Sequence, residues 1–469
     1  MRRIATLGAG LALIFAACAT GNGGPPTQAP AASQAPAASQ APAASASASG
    51  TAPSAAASPS AAGEPVEVSM LVGIAEDPEV EQQAVAQIDD FNATHQDIQI
   101  KREALDNDQL RTIIQTRLGS GEIDIFGYDT GPGFGGVLAK AGLAADMGPA
   151  YEKYGWKSFD WAKSRCTYSG VLRCVPAQVE EVGIFYNKTM FDEKGFAEPQ
   201  TLDEFKTIMD AFKADKIVPL AFGDQPQWPA GHQYSMTLSN LVGRQGMDAR
   251  LYGEAKWNDE AGVKAIDIFF KQFKDAGYFP KDPNAVTYED ANALFYAGKA
   301  AMVPTGTWLV SEITDNTKDK YEIGFFPFPS IDGSSISPPA GLGAGTFVAE
   351  NSKHKDAAFA VIDWFLSDEV TKKWSLPVFN QIPAQPVDTS GVEVSPLFQQ
   401  VLDDLAAASG ESPEFGYNID VLTPQAFNDQ MATGFQEVLN GSLTPQEQAD
   451  ALQAEYEKAL AAGDTIPKP

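Results

Sequence analysis

Hydrophobic and polar residues alternate from Val66 to Gly73 (VEVSMLVG), the period-two pattern of a strand. The spacing then changes. Val80, Ala84, Ile88 and Phe91 fall on one face of a predicted helix, and Ile98-Gln99-Ile100 returns to strand alternation. Leu110, Ile113, Ile114 and Leu118 predict a second helix, Ile123 to Phe126 a short buried strand, and Val137 to Ala141 the start of another helix. Strand and helix in turn predict an α/β layer with mainly parallel strands.

The pattern restarts downstream. Gly183 to Tyr186 and Val218 to Phe222 read as strands. Thr201 and Glu204 have capping-box spacing at a helix start. Val263, Ile266, Phe269, Phe270 and Phe273 share a helix face. The last third is helical, with one stripe at Leu397, Val401, Leu402 and Leu405 and another at Phe427, Met431, Phe435 and Val438. Thr444-Pro445-Gln446-Glu447 is a second capping box with Pro at its favoured first position. Two α/β units imply two lobes, with a ligand crevice at the carboxyl ends of their strands.

The N-terminal residues read differently. Arg2 and Arg3 precede an apolar run, Ile4 to Ala17, too short to span a bilayer at ~20 residues and so a signal peptide. From 19 to 64 the chain is almost entirely Ala, Pro, Ser, Gly and Thr. It has little to bury against its ordering entropy, and is expected to be a semi-extended tether. The remainder suffices for two domains at roughly 100–200 residues each. The net charge of −28 repels phosphate and argues against a nucleic-acid partner. Cys166 and Cys174 flank a Ser169-Gly170 turn signal, and an exported chain favours a disulfide between them.

Phe15-Ala16-Ala17-Cys18 resembles the lipobox of bacterial lipoproteins, which implies acylation of Cys18. Four further segments, in order, resemble the extracellular sugar-binding proteins of ATP-binding-cassette importers. They are Gly119 to Phe126; Gly183 to Lys188 with Pro199 to Phe205; Phe295 to Met302 with Gly306-Thr307-Trp308; and Gly341 to Val348 through Asp356-Ala357-Ala358 to Trp364-Phe365-Leu366-Ser367. The resemblance implies a two-lobed periplasmic-binding-protein-like α/β fold of class II type, with an interlobe ligand cleft and a helical C-terminal part. It implies lobes at 65–177 plus 325–370 and at 178–324 plus 371–469, after a signal peptide and lipobox at 1–18 and the tether at 19–64.

It also implies a function: capture of a carbohydrate by a monomer, lipid-anchored outside the cell membrane (or in a periplasm), for delivery to an importer permease, without cofactor, metal or enzymatic activity. Matched residue by residue, Trp308 is the stacking aromatic and Glu180 a polar contact near the hinge. Tyr128 and Asp129 follow a first-lobe strand, Trp228 follows a second-lobe strand within a loop, and Glu76 and Asp77 lie after the first strand. Each has a plainer reading: Trp308 as core, Glu180 as a solvated charge, Asp77 as a helix N-terminal charge. Trp257, Trp364 and Trp374 read as packing.

Other signals point elsewhere. Gly131-Pro132-Gly133-Phe134-Gly135-Gly136 fits a dinucleotide fingerprint, yet Pro132 removes an amide and the strand before it does not open a βαβ unit. Asp129-Thr130-Gly131 lacks the second copy that aspartic-protease chemistry needs. His95, His232 and His354 have no zinc spacing. A secreted carbohydrate hydrolase remains the alternative, since two placed carboxylates suffice.

Overall fold

The structure is a computed structural model describing residues 64–75, 77–333, 336–406 and 417–466. The signal peptide, Cys18 and the tract through residue 63 lie outside these residues, as does Glu76. The strands are β1 (Val66–Gly73), β2 (Ile98–Leu105), β3 (Ile125–Asp129), β4 (Thr167–Tyr168), β5 (Val171–Leu172), β6 (Cys174–Pro176), β7 (Gln178–Asn187), β8 (Val218–Leu220), β9 (Ala300–Gly306), β10 (Ile323–Phe326), β11 (Ala340–Leu342), β12 (Ala344–Val348) and β13 (Ile382–Pro383).

In the first lobe β1 pairs in parallel with β2 and β3, Val66 opposite Ile98 and Met70 opposite Ile125. Helix α1 (Pro78–Thr94) connects β1 to β2 and helix α2 (Asn107–Ser120) connects β2 to β3, as parallel pairing requires. Both start on an aspartate cap, Asp77 and Asp106, and α2 ends at Gly121, whose φ of 74° suits glycine. Alternation along β1 sends Val68 and Met70 to Ile88 and Phe91, and Leu71 to Leu110 and Ile114, so both sheet faces are covered. The sheet order is β2-β1-β3-β12-β6, with β12 antiparallel to both neighbours.

The second sheet has the order β10-β7-β9-β8. The final third is helical, at Pro396–Ala406, Gln425–Asn440 and Pro445–Ala462. Phe427, Met431 and Phe435 pack with Trp257, Phe270 and Tyr456 in the second-lobe core. Both capping boxes form, at Thr201/Glu204 and Thr444/Glu447.

β7 joins the lobes. Its first residues pair with β11 and β13, Val179 opposite Leu342 and Ile382. Its last residues pair with β9 and β10. A lobe division at 324/325 therefore cuts through β10, whose Ile323 faces Asn187 of β7. Phe326 and Phe328 pack against Phe205 in the second-lobe core, and the chain rejoins the first sheet only at β12. Two elements also differ from expectation. β3 begins at Ile125 because the Asp124 carboxylate accepts from Ser69 and Ser352 where the chain enters the sheet. The helix carrying Phe269 and Phe273 widens into a π turn over Asp267–Phe273.

A disulfide joins Cys166 and Cys174. Ser169 and Gly170 make a two-residue turn, both at positive φ, and Thr167 faces Leu172. Cys166 is therefore opposite Arg173, whose N–H donates to its carbonyl, and the bridge reaches one residue further, to the start of β6. Reducing this bridge, or replacing both cysteines by serine, is expected to cost about 2 kcal/mol from lost loop closure, read as a lower urea midpoint. An unchanged midpoint would show that the hairpin is held by its packing alone.

Candidate functional site

Where β7 passes between the lobes, Glu180 pairs with Gly341 of β11 and faces the cleft, half-buried. Gln178 donates to its carboxylate, and a Cβ on Gly343 would lie 2.3 Å from its Oε2. Burial pushes the Glu180 carboxyl up to about 7; Asp129 and Asp420 add to the shift while Gln178 and His232 oppose it.

The second lobe contributes rings. β9 ends at Gly306, and the Trp308 indole folds back over it so closely that a Cβ there would meet the ring at 1.8 Å. Trp228 is not in a loop as expected. It is the first residue of the helix Trp228–Leu251, with Pro229 in the first turn, where a missing N–H costs nothing. Its position projects it toward the rings that follow β9, and His232 lies one helical turn on. The Trp228 centroid is 5.0 Å from His232, 4.6 Å from Tyr288 and 6.4 Å from Trp308, and His232 is 5.1 Å from Trp308. Trp308 Nε1 donates to the Tyr288 hydroxyl at 3.1 Å, which in turn bonds Thr305 Oγ1 at 2.7 Å. These bonds hold the indole in place while leaving it half-buried.

The first lobe contributes Tyr128 and Asp129 at the end of β3. Arg111, on α2, donates to Asp129 Oδ2 from Nη2 at 2.8 Å and from Nε at 3.3 Å, and its guanidinium lies 5.5 Å from the Phe134 ring. Tyr128 meets the same ring edge-on, 6.3 Å between centroids, and burial pushes its phenol up to about 12.

The lobes meet beside these groups. The glycine-rich run after β3 lies against Tyr417–Thr423: a Cβ on Gly131 would come within 1.7 Å of the Val421 carbonyl, and one on Gly133 within 3.0 Å of the Thr423 carbonyl. These glycines serve close approach of two backbones. Asp420, next to Val421, places Oδ2 at 3.3 Å from His232 Nε2.

Trp308 and Trp228 thus share one cluster, and Glu180 is electrostatically coupled to Asp129. Asp77 has both oxygens engaged elsewhere, Oδ1 by the N–H of Glu79 at 2.7 Å and Oδ2 by Asn316 Nδ2 of the second lobe at 3.0 Å. It caps α1 and bridges the lobes, with no bond to the ring cluster. Glu76 lies outside the described residues. His232, Tyr288, Arg111 and Asp420 escaped sequence reasoning. Only His232 had a usable signal: Pro229 marks a helix start, and His232 is four residues after Trp228.

The family model of the bacterial extracellular solute-binding proteins matches residues 74–372. The "Multiple sugar-binding protein" of Streptococcus mutans is 26% identical over 320 residues, 65% of this chain and 71% of that protein. A solved "Chitin oligosaccharide binding protein" superposes with a TM-score of 0.74 at 24% identity, covering 85% of this chain and 100% of that one. The GacH receptor of Streptomyces glaucescens, solved unliganded and in complex with acarbose, gives 0.69 at 20% identity over 85% and 99%. At these identities the two structures establish the two-lobed fold.

The raised Glu180 carboxyl ties stability to pH. Between the ordinary glutamate value of 4.5 and about 7 the folded chain holds a proton there that the unfolded chain releases. That stabilisation is complete below 4.5 and is lost as pH rises through about 7. Glu180→Gln, neutral throughout, should flatten this part of the curve, by roughly 1–3 kcal/mol between pH 5 and 8. Urea midpoints for both proteins measure it; equal slopes would mean that Glu180 is ionised in the fold.

Proposed function

Because this chain belongs to the bacterial extracellular solute-binding protein family, we propose that it captures a carbohydrate between its lobes and delivers it to the permease of an ATP-driven importer. The observation that carries this reading is the ring cluster of Trp228, His232, Tyr288 and Trp308, with the Asp420 carboxylate 3.3 Å from His232. A pyranose has apolar C–H faces that stack on rings, and a fringe of hydroxyls that need partners once removed from water. The S. mutans relative and the chitin-oligosaccharide protein are both named for this ligand class.

Ligand touching both lobes favours the closed arrangement over an open one, a shift of population that a permease can read. Tyr128, Asp129 and Trp228 serve as contacts beside Trp308 and Glu180; Asp77 contributes by latching Asn316 on closure. The protein acts as a monomer, tethered through 19–64 to a lipid on Cys18, outside the membrane. No described helix is long and apolar enough to cross a bilayer.

A thermal-shift screen against sugars, polyols, amino acids and peptides tests the capture. A sugar at ~100 times its dissociation constant should add ~2.7 kcal/mol of stability. Trp308→Ala should weaken that sugar at least tenfold, and the sugar should be recovered unaltered. Breakdown of the sugar would favour a hydrolase; a response confined to amino acids or peptides would overturn the carbohydrate reading. For the anchor, cells expressing the full chain and fed a labelled fatty acid should label the wild type but not Cys18→Ser. Equal labelling would remove Cys18 as the lipid site.

A further inference from the structure

Two loops lead into the ring cluster. Residues 223–227 run straight into Trp228, and 282–287 run straight into Tyr288. The loops lie side by side. The Asp224 N–H donates to the Pro283 carbonyl at 2.9 Å and the Gln225 N–H to the Val286 carbonyl at 3.0 Å. A Cβ on Gly223 would lie 2.4 Å from the Thr287 carbonyl. Asp224 also caps the helix Trp228–Leu251, its Oδ1 accepting from the Ala230 N–H at 2.9 Å. Each loop carries a non-glycine residue in the left-handed region, Gln227 at φ 73° and Asp282 at φ 55°. Such backbone persists only where its surroundings fix it.

One residue of the C-terminal helix Gln425–Asn440 supplies that restraint to both loops. Gln436 Nε2 donates to the Asp224 carbonyl, its Oε1 accepts from Gln227 Nε2 at 3.2 Å, and its own carbonyl accepts from Asn284 Nδ2 at 2.9 Å. A carbonyl cannot donate, so the Asp224 contact sets which way the Gln436 amide faces, and the Gln227 bond follows. No local motif marks Gln436, since its partners Asp224 and Asn284 lie 212 and 152 residues away along the chain.

Tyr288 is buried and supports both half-buried indoles: Trp228 leans on its ring, and Trp308 donates to its hydroxyl. Holding the Trp228 loop against the Tyr288 loop therefore sets the angle between the indoles, 62° at 6.4 Å. A ligand that stacks on one ring and meets the edge of the other loses less freedom on binding when that angle is preset.

We propose that Gln436 is a positioning residue for ligand capture: without touching the sugar, it fixes Trp228 relative to Trp308 through the two loops. This rests on the sugar-capture reading above.

Calorimetric titrations with glucose, galactose, maltose, cellobiose, N,N′-diacetylchitobiose and raffinose test it. For the tightest of these probes, Gln436→Ala should weaken binding about fivefold, the loss that one hydrogen bond's contribution predicts. Gln436→Glu keeps the shape, but its carboxylate cannot donate to the Asp224 carbonyl, and it should lose as much. Trp228→Ala should weaken the same sugar roughly tenfold. Adding Gln436→Ala to Trp228→Ala should then cost less than about twofold more, because with one indole gone no angle is left to set. Gln430, on the same helix, donates to Gln448 and serves as the control: Gln430→Ala should leave affinity as in the wild type whatever it does to the melting midpoint. In protein labelled with fluorotryptophan, the fluorine resonance that disappears in Trp228→Phe should move in both Gln436 variants and stay in place in Gln430→Ala.

Full affinity in both Gln436 variants while Trp228→Ala weakens binding would overturn the proposal and leave sugar capture standing. So would an unmoved Trp228 resonance, a Trp228→Ala protein with full affinity, or a Gln436→Ala loss just as large with Trp228 absent, which would mark a general effect on the fold. Failure of every probe to bind would instead bring down the sugar reading, and this inference with it.

Discussion

β7 is a ten-residue strand whose two ends belong to different lobes. A buried strand must have its backbone donors and acceptors paired, and β7 meets that demand with two sets of neighbours: β11 and β13 at its start, β9 and β10 at its end. The changeover falls at Glu181 and Val182, where Ala340 and Gly306 are the last partners from each side. Side chains there are held by both lobes at once. Glu180 is therefore fixed at the cleft floor, where burial above all raises its carboxyl.

From that floor the two walls differ in chemistry because their strands end in different local structure. On the first lobe, β3 runs straight into a glycine-rich turn, so its last side chains, Tyr128 and Asp129, stand at the rim, where Arg111 of α2 orients the acid. On the second, β9 ends in a tight turn that folds Trp308 back over Gly306, and the helix starting at Trp228 brings a second indole and His232 alongside. A polar wall thus faces an aromatic one. The lobes approach closely where Gly131 has no side chain to hold off the Val421 carbonyl, and Asp420, next to Val421, lies beside His232.

Local signals were legible wherever a short stretch of chain decides its own conformation. The strand alternation at Val66–Gly73, the helix face at Ile88 and Phe91 and the two capping boxes all form as read, since each depends on neighbours within a few residues. Ser169-Gly170 similarly brought the two cysteines close enough to bridge. Trp228 was misplaced in a loop because Gln225-Pro226-Gln227 reads as irregular, although Pro229 marks a helix start. The glycine-rich run carries dinucleotide spacing, but its use in packing against a second backbone could not be read, since that backbone is almost 300 residues away along the chain.

By itself the sequence determined the two α/β units, the helical C-terminal third, the disulfide and the order of family motifs that point to a solute-binding protein. Those features rest on residue periodicity, turn chemistry and short motifs, all of which are local. Only the tertiary structure decided that Ile323–Phe326 stays with the second sheet, that Asp77 latches Asn316, and that Arg111, His232, Tyr288 and Asp420 share the cleft with Trp308 and Glu180. The reason is physical: hydrogen-bond partners, ring contacts and Coulomb interactions depend on distance through space, and residues far apart in the chain carry no local mark of the neighbours they will meet.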